Sequence, residues 1–250
     1  MIEQIEQRTI SSEKFLGINI DHIATIRNAR DGIFPNLNRA VEIINNCNGI
    51  KLITIHLRED RRHIRDADVE TLCKESPIKI NLEIACTEEM TEIAIKNKPY
   101  SVCIVPEKRE EMTTESGLDV ITHKEKITKC SQKLKDAGIL VSLFLDPDKN
   151  HITTAKEIGV DIIEIHTGKY ANANGVFQSQ ELERITIISK MISKLEMQCH
   201  AGHGLNYNNI TNLTKINEIE LFNIGHFLIG ESIYCGLEKA VNSMYHMINA

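Results

Sequence analysis

Asp21, His56, Arg58 and Glu83 set an acid, a base, a cation and a second acid on three short apolar runs, 17-GINID-21, 54-TIHLR-58 and 81-NLE-83. Residues two apart on a strand share a face. Asn19 therefore faces the same way as Asp21, His56 as Arg58, and Asn81 as Glu83. Glu83 is the candidate general acid/base: apolar neighbours raise a carboxyl toward neutrality, while nearby arginines oppose the shift. Its structural alternative is an ion pair with one of those arginines. His56 and His203 are candidate proton carriers, because imidazole titrates near neutral pH. In 163-IEIH-166, Glu164 and His166 are read as facing opposite ways, so that at most one of them points to the same side as the others.

A second set of residues suits anions. The stretch 56-HLREDRRHIRD-66 is the densest charged run of the chain, and it begins on the strand itself. Arginine forks grip phosphate or carboxylate at two points. His63 can add a third donor, and Asp66 can cap the helix that follows. Such runs also occur as solvated loops whose charges pair locally. The glycine-bearing segments 202-GHGL-205 and 224-IGHF-227 form another anion candidate, since Gly204 and Gly225 let the backbone approach an oxyanion closely, with His226 as a further donor. The segment 107-EKREEMTTESGLDV-120 is long, charged and rich in Thr, and reads either as a lid over a bound ligand or as a plain surface loop.

Two other chemistries are weighed and set lower. His22, His56, His166, His200, His203 and His226 all lie near the ends of apolar runs, which keeps a metal in view, but there is no HExxH motif and no HxH on the first run. A Schiff-base lysine has no candidate at an inward strand end. Cys86 follows the third run and could be a nucleophile, although a small buried thiol is the commoner case.

The elements that must position these residues are legible as a rhythm. Eight β-branched runs, 15–21, 53–58, 78–83, 101–107, 140–146, 161–168, 197–204 and 220–226, each end in polar residues and are each followed by a helical pattern. Eight strand–helix units predict a closed (β/α)₈ barrel, a TIM barrel of the α/β class, whose chemistry sits at the C-terminal strand ends. In such barrels the loops after strands 7 and 8 commonly hold phosphate, which is where Gly204 and Gly225 fall. An open doubly wound sheet is the competitor, but 19-NIDHIATIRNARDG-32 lacks its Gly-rich first turn. Pro35 is expected at a first helical position, the stretch 22–34 as a long loop, and Ile233 with Leu237, Ala240, Val241 and Met244 on one last helix.

Length and composition fit one domain. The chain has 250 residues, 42% of them hydrophobic, and no apolar run long enough to span a membrane. Residues 1–14 are polar and are expected as a surface extension, with neither a secretory nor a transit signal. The seven cysteines are scattered without a CxxC pair, as in a reduced cytoplasmic protein. A net charge of −6 argues against nucleic acid as partner, so the clustered arginines point to a small anion.

Longer stretches carry a resemblance. The segments 16-LGINIDHIATIRNAR-30, 54-TIHLREDRRHI-64, 81-NLE-83, 105-VPEKREEMTTESGLDV-120, 142-SLFLDP-147, 164-EIHTGKYA-171, 201-AGHGLNY-207 and 223-NIGH-226 resemble, in order, those of the pyridoxine 5′-phosphate synthase family, the ring-closing enzymes of one vitamin B6 pathway. The resemblance implies a barrel with extra helices, assembled as a homo-octamer, that uses no metal and no organic cofactor. It implies condensation of two phosphorylated small molecules, 1-deoxy-D-xylulose 5-phosphate and 3-amino-2-oxopropyl phosphate, to pyridoxine 5′-phosphate, phosphate and water. Proton transfer then falls to His56, Glu83 and His203. Contacts to the amino-ketone phosphate fall to Asn19, Arg30, His203 or Gly204, and the pair Gly225 and His226. Contacts to the deoxyxylulose phosphate fall to Asp21, His22, Arg58, His63 and Thr113. The chain departs from the family where Cys199-His200 precedes Ala201-Gly202, since an Asn is expected just before that pair. A metal-dependent barrel hydrolase or aldolase and a non-catalytic sensor of sugar phosphates are the alternatives.

Overall fold

Ile, Val and Leu dominate eight short runs whose residues are almost all buried, as a parallel sheet covered on its outer face requires. In the computed structural model, which describes residues 13–107 and 116–250, these runs are β1 (Phe15–Asn19), β2 (Ile50–His56), β3 (Lys79–Ala85), β4 (Ser101–Val105), β5 (Leu140–Leu145), β6 (Ile162–His166), β7 (Gln198–Gly202) and β8 (Leu221–Ile224). All pair in parallel in sequence order, and β8 returns to β1 through Phe15↔Leu221 and Ile18↔Ile224, closing the barrel. The doubly wound alternative is thereby excluded.

Among the described residues the helices are α1 (Asp21–Asn28), α2 (Leu37–Asn45), α3 (Asp66–Glu75), α4 (Glu88–Asn97), α5 (Lys124–Asp136), α6 (Lys149–Ile158), α7 (Gly168–Asn172), α8 (Gly175–Lys194), α9 (Ile210–Leu213), α10 (His226–Cys235) and α11 (Leu237–Ile248). Their apolar stripes meet the outward residues of the strands, such as Leu16, Ile18, Ile53 and Ile55, in one shell of core. The barrel interior differs. Gly17, Thr54, Asn81, Ser101, Glu164 and Asn223 meet there, and Cys103, Val105 and Phe144 form a small separate apolar cluster.

Several local expectations are corrected. The stretch 22–34 is largely helical, because Asp21 opens α1 directly after β1. Pro35 precedes the helix rather than beginning it: Asn36 is the cap, accepting the Arg39 N–H at 3.0 Å. Asp66 does not cap α3. It lies in the first turn and pairs with Arg61, while Asp68 accepts the Arg65 N–H at 2.9 Å. The last helical pattern is split in two by Gly236, whose φ of +87° an L side chain rarely adopts, and Ile233 is left exposed. Cys86 does not reach the barrel mouth; its thiol is held against that of Cys130, and this contact, with burial, pushes it up.

Lys14, expected in a surface extension, is buried. Its Nζ donates to the carbonyls of Ile216, Asn217 and Ile219 at 2.9, 2.9 and 2.7 Å, at the barrel end opposite the strand C-termini. Three donors meet three acceptors, so the ammonium is satisfied although burial lowers its pKa. Lys14→Met takes the ammonium from all three carbonyls, of which Ile216 alone keeps a backbone partner, the Ile219 N–H at 3.2 Å. We expect a loss of roughly 2–4 kcal/mol of stability, read as a lower thermal midpoint, with turnover at the far end unchanged. An unaltered midpoint would show the contact to be idle.

Candidate active site

The C-terminal strand ends open into a cavity of about 620 Å³. Of the residues proposed from sequence, Asn19, Asp21, His22, His56, Arg58, His63, Glu83, His203, Gly204, Gly225 and His226 all line it. Two do not join them. Arg30 is exposed in the turn beyond α1 and outside the cavity. Thr113 lies outside the described residues, as does most of the segment proposed as a lid.

Strand register builds the centre. His56 pairs with Glu83 across β2 and β3, and His56 Nδ1 lies 3.8 Å from Glu83 Oε2. Burial raises the Glu83 carboxyl well above its ordinary value, with Glu164 and then Asp21 adding repulsion. No arginine pairs with it among the described residues; its ion-pair neighbour is His56. Asp21 is held on two sides. Its Oδ1 accepts the backbone N–H of His56 at 2.8 Å, and its Oδ2 accepts the Asn19 amide at 2.8 Å.

Glu164 and His166 correct the sequence reading. Residues two apart share a face, and both turn inward. Glu164 lines the cavity, and its Oε2 accepts the Asn223 amide at 2.6 Å. Asn223 Oδ1 in turn accepts the Thr54 hydroxyl at 2.8 Å, and Asn81 and Ser101 extend this polar floor around the barrel. Burial raises Glu164 to about 7, while the Asn223 amide opposes the shift. Gly202 leaves the room for it: a Cβ there would lie 2.4 Å from Glu164 Oε1. His166 contacts Asp146 Oδ1 through Nδ1 at 3.0 Å, and its ring meets those of Phe144 and His203 at 5.0 Å each. The His166 contact holds Asp146 at about 2.

His203 sits at φ +84°, a strained position for a non-glycine residue. The Thr167 hydroxyl lies 2.7 Å from the carbonyl oxygens of both Gly202 and His203, fixing the turn. Burial, then His166, pushes the His203 imidazole down to about 4, so it is neutral at physiological pH and ready to accept a proton. His200, the departure from the family pattern, shares the inward face of β7 with Gly202 and is buried below it.

Two cationic or N–H-rich ends flank this centre. On one side are Gly204, Gly225 and the start of α10, where Gly225 packs so closely on Asn19 that a Cβ would come within 2.8 Å. A helix N-terminus with glycine beside it is an anion site by its free N–H groups and dipole. On the other side are Arg58 and His63, and the His22 ring lies 4.9 Å from that of His226 at the start of α10. The arginine run divides here: Arg58 is buried at the cavity, whereas Arg61 pairs outside with Asp66 and Glu89. Asp21, His56 and His63 bring ligand atoms within 4.8 Å of one another, the one such group among the described residues. Both Asp21 oxygens and His63 Nδ1 already accept N–H groups, so the cluster is built for hydrogen bonding.

Alternation pointed to the Asp21–His56–Arg58–Glu83 group, and the same rule applied to 163–166 would have found Glu164. Asn223 gave no comparable signal, since it is an ordinary polar residue in a short motif.

Comparison with known proteins agrees with this architecture. The family model described as pyridoxal phosphate biosynthesis protein PdxJ matches residues 16–250. The chain is 48% identical over 235 residues to the pyridoxine 5′-phosphate synthase of Zymomonas mobilis subsp. mobilis, covering 94% of this chain and 91% of that one. It is 48% identical over 234 residues to the enzyme of the same name from Pelobacter propionicus, covering 93% and 98%. A solved 4-hydroxy-2-oxoglutarate/2-dehydro-3-deoxyphosphogluconate aldolase superposes with a TM-score of 0.57 over 95% of this chain and 94% of that one, at 12% identity, which speaks to fold alone.

Proposed function

This chain belongs to the PdxJ pyridoxal phosphate biosynthesis family, and from that premise we propose that it is a pyridoxine 5′-phosphate synthase. It condenses 1-deoxy-D-xylulose 5-phosphate with 3-amino-2-oxopropyl phosphate to pyridoxine 5′-phosphate, inorganic phosphate and water. The observation that carries the reading is a single cavity with an anion-binding end on each side and titratable groups of opposed character between them.

The amine of one substrate attacks the ketone of the other, giving an imine between the two. The enzyme therefore needs no lysine of its own, and among the described residues none lines the cavity. Glu83, pushed toward its protonated form by burial, gives a proton to the departing hydroxyl. His56 and His203, the latter neutral, take protons from carbon and oxygen as water and phosphate leave and the ring closes. Asn19, Gly204, Gly225 and His226 hold the amino-ketone phosphate. Asp21, His22, Arg58 and His63 hold the sugar phosphate. Arg30 and Thr113 are assigned to the same ligands by family resemblance.

We place the enzyme in the cytoplasm as a homo-octamer without cofactor. Among the described residues no helix is long and apolar enough to cross a membrane, and the seven cysteines are free thiols. Ile33, Phe34, Val176, Phe177, Ile233 and Tyr234 expose large apolar surface, which suits contact between copies. The test mixes purified protein with both phosphorylated ketones and follows the pyridine chromophore, with the molecular mass measured in the same buffer. No chromophore, or a monomer, overturns the corresponding statement.

A further inference from the structure

His56 lies between two carboxylates whose surroundings push them in opposite directions. On the Nδ1 side is Glu83, at 3.8 Å. On the Nε2 side is Glu107, at 3.8 Å from its Oε2, two residues beyond the end of β4. The Glu107 side chain is 1% exposed. Its Oε1 accepts the Glu59 backbone N–H at 2.9 Å and lies 3.9 Å from an Arg58 guanidinium nitrogen. Among the described residues neither Glu107 Oε2 nor His56 Nε2 has a hydrogen-bond partner, and both are buried. A buried acceptor and a buried ring nitrogen left without other partners, and facing each other, are complementary once Nε2 carries the proton.

We propose that Glu107 is a positioning residue: it holds the His56 proton on Nε2, so that the Nδ1 lone pair is presented to Glu83 and the reacting atoms. The inference rests on the assignment of His56 as a proton carrier. Burial alone would raise the Glu107 carboxyl, but His56, the Glu59 N–H and Arg58 together hold it below its ordinary range, so it is an anion at neutral pH. Burial pushes Glu83 across the ring toward its protonated form. The three groups thus form an ordered line, carboxylic acid, imidazole, carboxylate. When His56 takes a proton at Nδ1, the imidazolium forms against a fixed negative charge, and Glu107 keeps its own charge throughout. The logic is that of the carboxylate behind a catalytic histidine in hydrolase triads. The 3.8 Å separation exceeds a hydrogen bond, and closes as the ring becomes cationic.

The other groups at His56 do not supply this. Asp21 takes the backbone N–H of His56, not the ring. The His63 ring is 5.8 Å from the His56 ring, centre to centre. Arg58 is cationic and cannot accept a proton. Glu107 is therefore the acceptor for Nε2–H.

The first measurement needs no variant and no substrate. Imidazole ¹⁵N shifts of the wild-type protein should show His56 as the Nε2–H tautomer; the Nδ1–H tautomer overturns the proposal. Glu107→Gln keeps the shape and the contact to the Glu59 N–H while removing the charge. We expect its kcat to fall about 30- to 300-fold, with KM for both substrates within about threefold. In a His56→Gln background the same change should cost less than about threefold, because it acts through the ring. Full kcat in Glu107→Gln, or an undiminished loss without His56, overturns the proposal. Absence of wild-type turnover would instead refute the synthase reading and leave the tautomer result standing.

Discussion

Glu83→Gln should lower kcat by about 10²- to 10⁴-fold while both substrates still bind within a few-fold of the wild-type affinity. The reason lies in what an amide cannot do. The reaction asks one group to deliver a proton to a leaving oxygen and later to remove one from carbon, and only a titrating carboxyl can alternate. Its burial, then Glu164 and Asp21, push it toward the protonated form, which suits donation as its first act. The phosphate contacts are elsewhere, at Gly204, Gly225 and α10 on one side and Arg58 and His63 on the other, which is why affinity is spared. Among the described residues the partner of Glu83 is His56 and not an arginine, the structural alternative. Gln is close to isosteric and removes a group whose ionised form is disfavoured here, so the variant should melt no lower than the wild type. Steady-state kinetics with a thermal melt decide it. Wild-type turnover would remove Glu83 from the chemistry, and a variant that no longer binds the sugar phosphate would assign it to binding.

How much of this was open to reading depends on which physical rule carried each part. The barrel was legible because it is written as eight repeats of one pattern, and the helix ends at Gly138 and Gly159 were legible because both adopt the left-handed conformation that glycine alone takes cheaply. Asp21, His56, Arg58 and Glu83 followed from strand parity, which is local. The misses came from contacts that cross the sequence. Lys14 reads as one more charge in a polar terminus; its burial depends on three carbonyls some two hundred residues away. Glu107 looks like part of a charged loop until β4 sets it behind His56. Asn223 becomes intelligible only once barrel closure brings β8 to Thr54 on β2 and Glu164 on β6. Local pattern tells which face a side chain takes, but not what stands opposite.

Glu164 offers the sharpest contrast between stability and function. Glu164→Gln should make the protein both more stable and slower at pH 8. The carboxyl is buried, and burial raises it from an ordinary value of 4.5 to about 7. Below about pH 4.5 it is protonated in both folded and unfolded chains and contributes no pH dependence. Between about 4.5 and 7 the unfolded chain releases the proton while the folded chain retains it, so stability falls as pH rises through that window, and above it the loss is complete. Glutamine does not titrate, and its carbonyl can still accept the Asn223 amide. The variant should therefore match the wild type near pH 4.5 and exceed it by roughly 1–3 kcal/mol at pH 8, a few degrees in the thermal midpoint for a chain of this size. At pH 8, where the carboxyl is ionised, turnover should move the other way, by about ten- to a hundredfold, because a negative charge at the barrel floor stabilises the cationic imine formed above it, and a neutral amide does not. Natural active sites retain such unfavourable groups for their chemistry and give up stability for it. Paired melts at the two pH values and a kcat measurement test both halves. A midpoint difference that stays flat with pH would mean that Glu164 does not hold its proton in the folded chain, and unchanged turnover would mean that its charge does not face the reacting atoms.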